Sequence, residues 1–293
     1  LEAYDDYYLG RPQFDKLIYR VMSEETLSSG LLAGEFDVGW NTVTAEEALE
    51  SLDGKNGLHA DLVDNKINIQ MVLNNEKFGP EVRHAFELAI DKQLIVDSVL
   101  KGYGEPVCSA LMPSSPYYNK DLKVEYNPDK AKKMLKEANF DFSQTISLGA
   151  SNSDREKMAV IIQDCLKKIG VNVEIETGDA TTLMSGARDG SIDMCLLQST
   201  TGASPTYLMM DYVTDGVTYC RVQDPKYYDL HVAVNQCVDK DDRIKKAWEM
   251  QKVLYEESPN INLVDQDIYM VCSSKLSNIT VPNNDKCWEW VVK

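Results

Sequence analysis

The sequence predicts an α/β protein in two lobes, and three observations carry that reading. Short apolar runs with two-residue alternation, such as Ile67, Ile69, Met71 and Leu73, are separated by stretches of helical apolar spacing, such as Val82, Ala85, Phe86, Ala89 and Ile90. Strands joined through helices build a parallel or mixed sheet. A helix pair opened by Pro80 and closed by Gly102 stands where one such group gives way to the next, and no repeat or low-complexity linker interrupts the chain. The pattern reads as one two-lobed unit, with residues 1–93 and 268–293 in lobe I and 94–267 in lobe II.

In order, Leu17, Tyr19 and Val21 alternate as a strand, Glu24 to Ala33 reads as a helix stopped at Gly34, and Phe36 and Val38 begin a second strand. Thr44 and Glu47 are spaced as a capping box for a helix through Leu52. The strand from Ile67 to Leu73 leads through Asn74 and Asn75 into the helix pair. There Pro80 takes a first helical position, Glu81 complements the helix dipole, and Asp91 caps a second helix carrying Leu94, Ile95 and Val99. The bend at Asp91 reads as a hinge.

Beyond it, Asn127 caps and Pro128 opens a helix with Ala131, Met134, Leu135 and Ala138 on one face. Ser153 and Glu156 make a second capping box before a helix that Gly170 ends, and Val171, Val173 and Ile175 follow as a strand. A short helix over Thr181 to Arg188 and a strand through Ile192, Met194 and Leu196 complete a β-α-β unit. Ile244, Ala247, Trp248, Gln251 and Leu254 mark a long helix stopped before Pro259. The last strands span Ile261 to Val264 and Tyr269 to Cys272.

Composition narrows function. A net charge of −17 excludes nucleic acid and anionic lipid as natural partners, because both need a basic face. No run of eighteen apolar residues is present. The seven cysteines form no C-x-x-C, which argues against structural zinc and thioredoxin-like chemistry; free thiols, or one or two disulfides, remain open. Cys165 falls on an apolar helix face and Cys195 in an apolar strand, where cysteine behaves as a small hydrophobe. Hydrolase, zinc-protease, P-loop and dinucleotide motifs are absent, and His59, His84 and His231 stand in no metal-ligand spacing. No catalytic residue, metal or cofactor is therefore assigned.

The run V-R-x-A-x-x-x-A-I-D-K from Val82 to Lys92, followed by G-x-G-x-P from Gly102 to Pro106, resembles the core signature of the family 5 extracellular solute-binding proteins of ABC importers. Tyr7 to Pro12, Ala33 to Asp37, Tyr126 to Ala138 and Ile169 to Val173 resemble further segments of that family in the same order. The resemblance implies a type II periplasmic-binding-protein-like architecture with an incomplete first lobe, since LEAYDDYYLG resembles a stretch well inside such proteins. The missing upstream part is expected to hold an export and lipoprotein signal. The implied protein is an extracellular or periplasmic, monomeric receptor that captures a small polar solute between lobes and presents it to a membrane permease. Peptides lead as ligand class. A hydroxyl-rich, sugar-like solute is the alternative, as is a sensor that kept the fold without import.

Ligands of α/β sheets bind at the carboxyl ends of strands, which selects the candidate residues. Trp40 and Asn41 follow the Phe36 strand. Asn74 and Asn75 end the Ile67 strand, where amides offer donors and acceptors. The loop from Gln198 to Tyr207 carries Ser199, Thr200, Thr201 and Tyr207. It has no acid at the place where peptide-binding members of the family carry an aspartate for the ligand's ammonium group. Tyr219 and Arg221 are placed to stack on the ligand and to receive a carboxylate, while Asp265, with Gln266 beside it, supplies an acid from another direction.

Overall fold

A computed structural model describes residues 1–39, 44–63, 66–209, 219–222, 224–279, 287 and 289–293. The chain forms two compact units, residues 1–66 with 267–293 and residues 67–266. The expected boundary near residue 93 thus moves to 66/67. The physical reason is strand pairing: the Ile67 strand is hydrogen-bonded on both sides within the second unit, and the helices after it pack on the same sheet.

The first unit contains helix α1 (Glu24–Ala33), strand β1 (Val38–Gly39), a π-helical turn (Glu47–Leu52) and strand β2 (Leu58–Leu62). Ser23 caps α1 and Gly34, at φ 73°, ends it. The Thr44 hydroxyl accepts from the Glu47 N–H, the expected cap, although the turn it opens is π rather than α. The expected Leu17 to Val21 strand does not form. The pairing there goes no further than an isolated bridge of Lys16 with Glu2 and the backbone bonds of Leu17 with Leu1, and Ile18, Tyr19 and Val21 are exposed.

The second unit holds, in chain order, β3 (Ile67–Leu73), α2 (Pro80–Ala89), α3 (Lys92–Ser98), β4 (Gly104–Pro106), α4 (Pro128–Glu137), β5 (Thr145–Ala150), α5 (Ser153–Lys168), β6 (Asn172–Thr177), α6 (Ala180–Asp189), β7 (Met194–Thr200), α7 (Pro225–Asn235), α8 (Lys240–Glu257) and β8 (Asn260–Gln266). Asp91 caps α3 by accepting from the Leu94 N–H, as its sequence position predicts. Both helices of that pair lie inside the second unit. At α5 the cap is Asn152 rather than Ser153, its amide oxygen accepting from the Arg155 N–H. Helix α7 has no counterpart in the expected elements.

These strands form one mixed sheet in the order β4-β8-β3-β7-β5-β6, parallel only between β5 and its two neighbours. Ile69, Met71, Leu73, Leu148, Leu196 and Ile261 turn one face into a core with residues of α2 to α5. Val72, Cys195 and Leu197 turn the other toward Leu183, Val234 and Met250 of α6 to α8. Because both faces are covered, the polar alternates Asn68 and Gln70 of β3 are buried rather than solvated. Their burial is tolerated because each is hydrogen-bonded, Asn68 to Asp265 and Gln70 to Asn260.

The chain returns to the first unit in β9 (Tyr269–Ser273), β10 (Leu276–Ser277) and β11 (Val291–Val292). Strand β9 is central in the sheet β1-β9-β2, and β10 pairs with β11. Leu58 and Val271 pack with Leu27, Leu31, Ala48 and Leu52 as this unit's core. All seven cysteines are free thiols. Among the described residues no helix is long and apolar enough to cross a membrane.

Candidate functional site

Strand register decides which of the sequence-selected residues come together. Strands β5, β7 and β8 end, and β3 begins, at one rim of the six-stranded sheet: Ile67 is paired with both Thr200 and Gln266, and Asn68 with Ser199 and Asp265. Gly104 opens β4 opposite Gln266 at the same rim. The chain enters the second unit at Ile67 and leaves it at Gln266, so this is the crossing rim. Ser199, Thr200, Thr201, Asp265 and Gln266 gather here.

The two faces of this rim carry different chemistry. On the face of α6 to α8, Asn68 Nδ2 donates to Asp265 Oδ1 at 2.7 Å, both side chains buried, with Ser199 beside Asn68 across the strand pair. The loop after β7 is clamped over this face. Met112 N–H donates to the Gly202 carbonyl at 3.2 Å, Ser115 Oγ donates to the Ala203 carbonyl at 2.7 Å, and Thr201 is buried. Tyr118 joins the group. Burial raises its phenol pKa to about 12, and the neighbouring Cys108, Glu105 and Asp265 act in the same direction.

On the face of α2 to α5, Arg155 in the first turn of α5 spans the ends of β5 and β7. Its Nη1 donates to Ser151 Oγ at 2.6 Å and its Nη2 to Gln198 Oε1 at 2.5 Å. The residue is only 8% exposed, its Nε has no hydrogen-bond partner, and it forms no ion pair among the described residues. Burial pushes its guanidinium pKa down from the usual value. Among the described residues this buried cation is balanced only by neutral acceptors, an arrangement able to pair with an anionic group.

The remaining candidates lie at the opposite rim, with their side chains engaged in structure. Asn74 Oδ1 accepts from the Glu76 and Lys77 N–H groups, an Asx turn into α2. Asn75 Nδ2 stands 2.8 Å from each of the carbonyl oxygens of Leu73, Cys220 and Pro259, tying three segments together. Arg221 pairs with Glu76 and donates Nη1 to the Arg188 carbonyl at 2.8 Å, and the Arg188 guanidinium lies 4.8 Å over the Tyr219 ring. Trp40, Asn41 and the Tyr207 side chain lie outside the described residues.

Two members of the crossing rim, Asn68 and Arg155, were not selected from the sequence. Asn68 carries a recoverable signal, a polar residue in the central strand of a sheet covered on both faces. Arg155 reads locally as an ordinary polar residue in a first helical turn, and nothing nearby in sequence announces that it is buried.

Residues 1–219 match the family described as bacterial extracellular solute-binding proteins, family 5 middle. The oligopeptide-binding protein AppA of Bacillus subtilis is 34% identical over 205 residues, covering 63% of this chain and 37% of that protein. The glutathione-binding protein GsiB of Salmonella typhimurium is 24% identical over 292 residues, covering 93% of this chain and 56% of that protein. Among solved structures, DppA from Helicobacter pylori in complex with the peptide STSA matches with a TM-score of 0.82 at 20% identity, over 99% of this chain and 60% of that one. The fold is therefore the mixed α/β fold of the periplasmic binding proteins. The chain spans between about a third and about two thirds of the lengths of these proteins.

Proposed function

We propose, because this chain belongs to the bacterial extracellular solute-binding proteins of family 5, that it is the solute-capturing part of an ABC importer's receptor and that its solute is a peptide or peptide-like molecule. The names of its relatives support that class: oligopeptide-, di/tripeptide- and glutathione-binding proteins. Proteins of this family are extracellular or periplasmic. Attachment to the membrane through a lipoprotein signal, delivery to a permease and action as a monomer are parts of the same proposal.

The observation that carries the reading is Arg155, buried at the crossing rim with no ion-pair partner among the described residues. A peptide carboxylate supplies an anion for it, and Thr200, on the same face of β7 as Gln198, offers a neutral hydroxyl. No bond of the solute is broken in this scheme. Binding energy is used to favour the liganded conformation over the empty one.

A second reading rests on the loop after β7. No acid occurs from Cys195 to Met210, so an ammonium group held there would be desolvated without a counter-charge at a cost of several kcal/mol. That favours a hydroxyl-rich anionic solute, or a peptide whose amino end is held by Asp265 instead. Mass spectrometry of solute released from the whole receptor, followed by thermal shifts against peptides, blocked peptides and sugar acids, separates the two. Stabilisation by free-carboxylate peptides supports the first reading and stabilisation by sugar acids alone the second. Turnover of any solute overturns both.

A further inference from the structure

Away from the crossing rim, the three-stranded sheet of the first unit carries a constellation of a different kind. Strand periodicity places His59 and Asp61 of β2 on one face, and the antiparallel register sets Cys272 of β9 directly opposite His59. Leu58, Ala60 and Val271 point to the other face, into the unit's core, so these three donors share the face away from it. His59 Nε2 lies 3.3 Å from an Asp61 carboxylate oxygen, and the imidazole, carboxylate and thiol donor atoms all lie within 4.8 Å of one another.

We propose that His59, Asp61 and Cys272 form a binding site for a single divalent transition-metal ion of borderline softness, with Zn2+ the best fit. One nitrogen, one oxygen and one sulfur donor are the ligand types Zn2+ accepts, whereas Mg2+ and Ca2+ select oxygen alone. Donors bound at about 2.0–2.3 Å in a tetrahedron stand roughly 3.3–3.8 Å apart. The His59–Asp61 separation already falls in that range, and the thiol closes the remaining gap by side-chain rotation. The His59 and Asp61 side chains are 41% and 46% exposed while Cys272 is buried, so an ion can enter from solvent and rest on the sulfur. A fourth position stays open to water or to a solute atom.

The arrangement also accounts for a feature that packing leaves unexplained. A surface histidine–aspartate pair contributes little by itself. Here it sits over a buried thiol on the same face of the sheet. A divalent cation at this point engages all three groups at once.

Titration of the purified, metal-free whole protein with Co2+ tests this, because cobalt reports its ligands. The expected result is one equivalent bound, a thiolate-to-cobalt charge-transfer band, and competition by Zn2+. Cys272→Ser should abolish that band, and His59→Gln and Asp61→Asn should each weaken binding by at least about tenfold. The last two sites are half exposed and tolerate substitution, so they carry the test even if the cysteine variant does not fold. Cys237→Ser should keep the band. No stoichiometric binding, a band that survives Cys272→Ser, or unchanged affinity in both β2 variants overturns the proposal.

Discussion

Replacing Arg155 with methionine separates a ligand anchor from a structural arginine, because the two roles predict changes of opposite sign. In the unliganded protein the guanidinium is 8% exposed and held only by Ser151 and Gln198, with Nε unbonded. Removing it forfeits two hydrogen bonds of about 1 kcal/mol each, but Gln198 is exposed and rehydrates. It also relieves the desolvation of a buried charge, and swaps of buried charges for apolar side chains of similar volume are often neutral or stabilising by about 1–4 kcal/mol. The unliganded variant should therefore melt at the wild-type temperature or above. For a carboxylate-bearing solute, loss of a desolvated charge partner costs about 2–5 kcal/mol, an affinity drop of roughly 30-fold or more. Calorimetric titration with the solute released from the native receptor, paired with thermal melts without ligand, measures both. A variant that melts several degrees lower yet binds with native affinity would refute the reasoning and make Arg155 a structural residue.

Three further outcomes follow from the same geometry. Asn75→Ala should destabilise the fold by about 2–3 kcal/mol in denaturant titrations, since it releases three carbonyls, while leaving solute affinity unchanged; a selective loss of affinity would return Asn75 to the binding site. Lys92→Met should cost about 3–5 kcal/mol, because Lys92 and Glu87 are buried together at 2.9 Å and removing one leaves the other charge uncompensated; a cost under 1 kcal/mol would show that the pair is solvated. Burial raises the thiol of Cys108 from 9.0 to about 11 and that of Cys195 to about 12. Both pKa values are raised on folding, so the thiols' contribution to stability should be constant below pH 9 and be lost as pH rises toward 11–12, and neither thiol should be alkylated in the native protein at pH 8; rapid alkylation of either would contradict its burial.

Much of the fold was legible because its signals are local. Gly34, Asp91, Asn127 and the Pro80 and Pro128 openings each fix a helix end through neighbours a few residues away, and the structure follows them. Where the expectation and the structure part, a distant partner decides. The alternation at Leu17 to Val21 forms no strand beyond the Lys16–Glu2 bridge, and β3 joins the second unit because β7 and β8 flank it. The site divides in the same manner. Ser199, Thr200, Thr201, Asp265 and Gln266 were found by looking just past strand ends. Asn74 and Asn75 satisfy the same rule, yet in an antiparallel pairing the end of one strand lies beside the start of the next, which sends them to the opposite rim, where Tyr219 and Arg221, chosen as loop residues, also lie.

The sequence by itself determined the class of fold, several helix ends and the family, since periodicity, caps and motif order depend only on residues close in the chain. Tertiary structure alone decided which polar groups share a rim, that Arg155 is buried, and that Cys272 stands over His59 and Asp61. Those relations are set by strand register, which joins residues hundreds of positions apart and leaves no local trace.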